Sequence, residues 1–257
     1  MPQGMLRSWE IDMTQARRRI LFWVLVVALI AIGAIIQARA HGEAESPPHA
    51  ASLKTDPDAE FITEENALLQ EFRCALSVIS LQLPLAEEEC GRAIALSPQD
   101  PIGYKYRGFL YLLEHRFADA EADLLEAVTL YPQDADSQAG YAQALTGQGR
   151  FGEAVTRFGV ALMLAPADVR FLAARCWARS AEGKDFPAAL QDCNRAIRLE
   201  PGNAVSYDSR GLVYLRLGKA AQARNDYATA LKLQPERATA LFGRGIAELR
   251  LKQIDKA

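Results

Sequence analysis

Histidine occurs only three times in the chain, and none of the three stands in a pattern that supports catalysis. His41 and His49 lie in a segment rich in Pro, Ala and charge, and His115 lies at a turn of the repeat described below. Nothing in the sequence couples any of them to a Ser or Cys nucleophile. The four cysteines form no C-x-x-C, and no Cys/His cluster has zinc-site spacing. There is no glycine-rich phosphate loop. No long basic run lies outside the N-terminus, so a nucleic-acid partner has no electrostatic footprint. Acidic clusters such as Glu87-Glu88-Glu89 read as solvated helix faces. The expectation is a protein that is not an enzyme and holds no metal and no cofactor.

What the chain does have is a ladder of prolines. Five helix-like runs end in the same phrase: AIALSP at Ala93–Pro98, AVTLYP at Ala127–Pro132, ALMLAP at Ala161–Pro166, AIRLEP at Ala196–Pro201 and ALKLQP at Ala230–Pro235. The prolines are 34, 34, 35 and 34 residues apart. A fixed period of this size predicts a solenoid, in which one helix pair cannot bury its own apolar face and stacks on its neighbours.

With the proline as position 32 of each unit, the second unit has Tyr104 at 4, Gly108 at 8, Tyr111 at 11, Ala120 at 20, Leu124 at 24 and Ala127 at 27. The fifth has Tyr207, Gly211, Tyr214, Ala223, Tyr227 and Ala230 at the same places. This pattern resembles the tetratricopeptide repeat (TPR). The resemblance implies an all-α, right-handed superhelical solenoid of helix-turn-helix units. Small residues let two helices approach, large ones fill the space between them, and glycines near position 15 (Gly149, Gly218) supply the turn. Units are expected at about residues 67–100, 101–134, 135–168, 169–203 and 204–237, with a partial sixth at 238–257, in an array running over 63–257. Thr63 is the expected first N-cap, with Glu64 and Glu65 in the first turn.

A larger period lies inside the small one. Units one and four share Arg at 7 (Arg73, Arg175), Cys at 8 and 24, Pro at 18 (Pro84, Pro187) and Arg at 26 (Arg92, Arg195). Units two and five share Arg107/Arg210 and Asp123/Asp226 besides their tyrosines. Units three and six share Gly140/Gly243 and Ala144/Ala247. A duplicated block of three units accounts for this most simply.

In an antiparallel hairpin turning near position 16, position 8 faces position 24. The spacing therefore predicts two intra-unit disulfides, Cys74–Cys90 and Cys176–Cys193. Each is worth roughly 3 kcal/mol in the chain-entropy picture. Burial as plain small residues is the alternative.

The N-terminus predicts a membrane. A polar tail, 1–19, ends in Arg17-Arg18-Arg19, and 17 uncharged residues, Ile20–Ile36, follow. As a helix this run covers about 26 Å, near the lower limit for a bilayer. Trp23 suits the interface, and the preceding arginines keep the N-terminus cytoplasmic. Ala38-Arg39-Ala40 offers a second reading, a signal peptide cleaved near Ala40 that yields a secreted protein. The length of the run favours an uncleaved single-pass anchor. Both readings place the repeats outside the cytoplasm, most economically in a bacterial periplasm. Residues 41–60 read as a flexible linker. From His41 onward the chain has 24 basic and 30 acidic residues, a balance of −6 that selects no partner.

The TPR resemblance further implies that positions 2, 5, 9 and 12 line a concave groove that binds peptides or partner helices. They include Ile102, Lys105, Phe109 and Leu112 in unit two. Asp136, Ala139, Gln143 and Thr146 follow in unit three, and Val205, Asp208, Leu212 and Leu215 in unit five. Of these, Lys105, Phe109, Leu112, Gln143, Asp208, Leu212 and Leu215 are the candidate binding residues. The Lys/Asn set by which some family members clamp a terminal carboxylate is absent. The expected function is a membrane-anchored scaffold for protein or peptide partners. The alternative is a non-catalytic TPR half of a larger enzyme or of a transport or assembly complex, cut off at Ala257. Self-association through an open C-terminal end is a third expectation.

Overall fold

The computed structural model describes residues 57–254. Among them are eleven α-helices and no strand. The polar tail, the apolar run Ile20–Ile36, the site near Ala40 and most of the expected linker lie outside the described residues. No described helix is long and apolar enough to cross a membrane.

The helices pair into hairpins. Unit one is α1 (Pro57–Ile79) and α2 (Leu83–Leu96), and unit two is α3 (Pro101–Leu113) and α4 (Phe117–Leu130). Unit three is α5 (Ala135–Gly147) and α6 (Phe151–Leu164), and unit four is α7 (Val169–Glu182) and α8 (Phe186–Leu199). Unit five is α9 (Ala204–Arg216) and α10 (Ala220–Leu233), and α11 (Ala238–Ile254) opens unit six. Each second helix packs on its own first helix and on the first helix of the next unit. The first helix starts at Pro57, so Thr63 lies inside it and not at its cap. Proline already has the helical φ and needs no N–H partner in a first turn, which lets α1 begin early. Pro84 and Pro187 occupy the first turns of α2 and α8 for the same reason.

Position 34 starts the next unit. Asp100, Asp134, Asp168 and Asn203 each accept a backbone N–H of the following first helix. Position 15 reverses the chain with a left-handed residue. It is glycine in Gly149, Gly183 and Gly218, but Leu81 (φ 59°) and His115 (φ 58°) hold the same conformation with a side chain. A side chain there is strained. His115→Gly is therefore expected to raise stability by about 1 kcal/mol, read from a denaturant midpoint; an unchanged or lower midpoint would remove the strain argument.

The core layer between positions 8 and 24 takes three forms. In unit two, Leu124 is wedged between Gly108 and Gly140, and a Cβ on either glycine would sit 2.6 Å or 3.2 Å from it. In unit five, Tyr227 is wedged likewise between Gly211 and Gly243, and its burial pushes the phenol pKa up. In unit three the pair is Ala142 and Phe158, both buried. Units one and four fill the layer with two cysteines instead. Cys74 is bonded to Cys90 and Cys176 to Cys193, with Cα–Cα distances of 4.5 and 5.6 Å. A disulfide thus stands where the other hairpins set a small residue against a large one.

A second row runs beside this layer, from position 7 to position 23. Arg73 meets Glu89, Arg107 meets Asp123, Arg175 meets Asp192 and Arg210 meets Asp226. The last three are two-pronged pairs at 2.7–2.9 Å. Unit three departs: Tyr141 stands at 7 and Arg157 at 23, and the guanidinium lies 4.8 Å from the ring centroid.

Candidate functional site

First helices stack on first helices, α1 on α3 and α7 on α9, but α5 and α7 are held together chiefly through α6. Where they part, the surface of the array has a recess of about 350 Å³. It is lined from α3 by Lys105, Tyr106 and Phe109, from α5 by Asp136, Ala139, Gly140 and Gln143, and from α7 by Arg170 and Phe171.

The recess has an aromatic wall and polar corners. Tyr106 and Phe109 meet edge to face, with centroids 6.3 Å apart. Gly140 admits Phe109 because a Cβ there would lie 2.5 Å from the ring. Lys105 Nζ is 2.8 Å from Asp134 and 6.0 Å from the centroids of both rings. Across the mouth, Arg170 holds Asp168 at 2.7 Å and reaches Asp136 at 3.0 Å, which bridges α7 to α5. Its guanidinium lies 5.0 Å from the Phe171 ring. Gln143 is exposed.

Burial alone would raise the Asp134 carboxyl pKa, but the hydrogen bond and charge of Lys105 and the Ser137 hydroxyl and amide hold it below the ordinary aspartate value. A group depressed in the folded state contributes stability above its unfolded pKa and loses it as pH falls through the folded one. The Lys105–Asp134 pair is therefore expected to persist through neutral and mildly acidic pH and to open only in stronger acid. A carbon-detected NMR titration of Asp134 checks this, and an ordinary aspartate midpoint would contradict it.

Both cations already face carboxylates, so the recess has no strong charge of either sign to offer. What it offers is aromatic surface, an amide and adjustable ion pairs. These suit the side chains and peptide bonds of an extended segment.

The candidate residues divide. Lys105, Phe109 and Gln143 come together in the recess. Leu112 is half-buried on α3 against the core, and Leu212 is half-buried on α9 outside the recess. Asp208 and Leu215 are corrected: both are buried and neither belongs to an open surface. Asp208 accepts Arg237 Nε at 2.7 Å and the Thr239 hydroxyl at 2.6 Å. Leu215 packs in the core of units five and six, and Arg250 of α11 donates to its carbonyl. The approach of α11 covers both. Tyr106, Gly140, Arg170 and Phe171 were not among the candidates. Arg170 stands at position 2 of unit four, where the groove pattern extended to that unit would have found it; Tyr106, Gly140 and Phe171 stand at positions 6, 6 and 3, which that pattern omits.

Residues 110–168 and 177–257 match family models of the tetratricopeptide repeat. The human (Homo sapiens) mitochondrial import receptor subunit TOM70 is 28% identical over 158 residues, which is 59% of this chain and 26% of that protein. The chain thus spans about a quarter of the length of that curated relative. Among solved structures, YrrB, described as a TPR protein with an unusual peptide-binding site, superposes with a TM-score of 0.58 at 18% identity, covering 75% of this chain and 98% of its own. TTC0263, a thermophilic TPR protein of Thermus thermophilus, gives 0.59 at 18% identity over 70% and 99%. At such identities these likenesses carry the fold alone. Repeat period, hairpin packing and family models agree, and the chain belongs to the tetratricopeptide repeat family.

Proposed function

We propose that this chain is a membrane-tethered, extracytoplasmic scaffold that binds a protein partner as an extended segment laid across the recess between α3, α5 and α7. The observation that carries the reading is the convergence of Phe109, Tyr106, Gln143 and Arg170 on one opening between first helices. YrrB, of the same fold, is described as having a peptide-binding site, which is in keeping with that use of the fold. The apolar run Ile20–Ile36 behind three arginines supports an inner-membrane anchor with the N-terminus cytoplasmic, and removal near Ala40 would instead release the repeats. Two buried disulfides suit an oxidising compartment.

Panning the full chain against a displayed random-peptide library tests the binding reading. Selected peptides are expected to lose about tenfold or more in affinity on Phe109→Ala, and to weaken on Gln143→Ala, which touches no core. Peptides indifferent to both variants would rule out this recess. Labelling intact spheroplasts with a membrane-impermeant maleimide, with and without reductant, tests the location. Four thiols that label without reductant, but only after denaturing lysis, would place the repeats in the cytoplasm.

A further inference from the structure

Helix α1 is apolar on the side turned away from its own unit. Leu68, Leu69, Phe72, Leu76 and Ile79 are 65, 55, 49, 46 and 66% exposed. At 100° per residue they fall within one stripe about 100° wide. The opposite side, against the rest of the array, carries Gln70, Glu71, Cys74, Ser77 and Val78, all buried. Gln70 donates to both the carbonyl and the carboxylate of Glu89 on α2. The usual amphipathic order is thus inverted: polar groups are satisfied inside and the larger apolar surface is left outside.

We propose that this stripe is a two-fold interface, at which α1 of one copy pairs with α1 of a second copy of this chain. Three observations select that occupant. Leu69, Phe72, Leu76 and Ile79 alternate at spacings of three and four, the a/d seam of paired helices. The residues flanking the seam, Asn66, Leu68, Arg73, Ala75, Ser80 and Gln82, include one charge, and Arg73 is already tied to Glu89 at 3.1 Å. Two copies therefore meet without like-charge repulsion. A large apolar residue presents up to roughly 200 Å², so these five expose on the order of 500 Å² per copy. A pair then buries about 1,000 Å², the threshold of a specific interface. Leu81, 67% exposed in the turn that follows α1, adds to it. A self-complementary patch of this kind closes at two copies and leaves no sticky end.

The test is photo-crosslinking of the full chain in intact cells, with a benzophenone amino acid in place of Leu69. The expected adduct contains this chain alone and has twice its 28.2 kDa mass. It should disappear when Phe72→Glu and Leu76→Glu are added. Both substituted side chains are about half exposed, so helicity should be unchanged and any fall in melting should be confined to the loss of its concentration dependence. The same substitutions in purified protein should turn a dimer into a monomer by sedimentation. An adduct with a different protein or with lipid, an adduct confined within one chain, or a wild type monomeric at about 100 µM would each overturn the proposal. So would self-association that survives the glutamates but is lost on Phe242→Glu, which would move the contact to α11 and make it head to tail.

Discussion

Reducing both disulfides of the full chain is expected to cost about 3 kcal/mol at each bridge, the largest loss any single chemical step should cause here. The bonds close loops of 16 and 17 residues within hairpins, so their effect falls on the two units that hold them. Stability in a stacked array is close to a sum over units and their shared faces. Among the described residues, unit one has a neighbouring unit on one side and unit four on both. Hydrogen exchange after reduction should therefore open α1 and α2 first, with α7 and α8 following at higher denaturant. All four cysteines are fully buried, so reductant should act only through opening of the unit. Pairwise replacement by alanine reaches the same end without redox chemistry. An unchanged denaturant midpoint, with both bridges shown broken by mass, would contradict the expectation. Synthesis in a reducing compartment should accordingly give a markedly weaker protein from the same sequence.

The second large effect is expected at Asp192. Its carboxylate takes two contacts from Arg175, at 2.7 and 2.9 Å, and one from Arg179 at 2.6 Å. Two guanidinium groups thus share one acid inside unit four, where both side chains are about four-fifths buried. Asp192→Ala removes the acid and leaves the cations facing each other, at a cost of about 3 kcal/mol. Asp136→Ala, at the mouth of the recess, breaks an ion pair whose partners are 68% and 45% exposed and should cost less than about 1 kcal/mol. The contrast between these two variants in urea titrations is the measurement. Equal small losses would mean that water reaches Asp192 freely. A double-mutant cycle with Arg179→Ala separates the shared term, because deleting one guanidinium should relieve part of the damage.

Much of the fold was legible because stacking imposes a period. The five proline phrases, the small residues at position 8 and the cysteines at 8 and 24 are consequences of one hairpin repeated, so position number stands in for place. The row from Arg107 to Asp123 was visible as an alignment between units two and five, yet it was not paired, although its sixteen-residue spacing equals that of Cys74 and Cys90. Position number failed where the next unit decides exposure. Asp208 and Lys105 share position 5, but Asp208 is sealed by Arg237 and Thr239 at the start of α11, whereas Lys105 stays beside the recess. Arg170 and Phe171 belong to the recess because α5 and α7 part there. That parting comes from how two units pack, and no single unit's pattern contains it.

The ion pair between positions 5 and 34 has an evolutionary consequence. Unit two holds it as Lys105 with Asp134, and unit five, which shares Arg107/Arg210 and Asp123/Asp226 with it, holds it as Asp208 with Arg237. The signs are reversed and the bond is kept. These two units are therefore transferable cassettes only if recombination cuts after position 34. A crossover inside the hairpin, joining the first helix of unit two to the tail of unit five, would set Lys105 against Arg237. The reciprocal product would set Asp208 against Asp134. Shuffled arrays made with junctions at the two kinds of site should separate into folded and poorly folded classes, and any lineage in which these units were exchanged should carry its breakpoints at the boundaries between units.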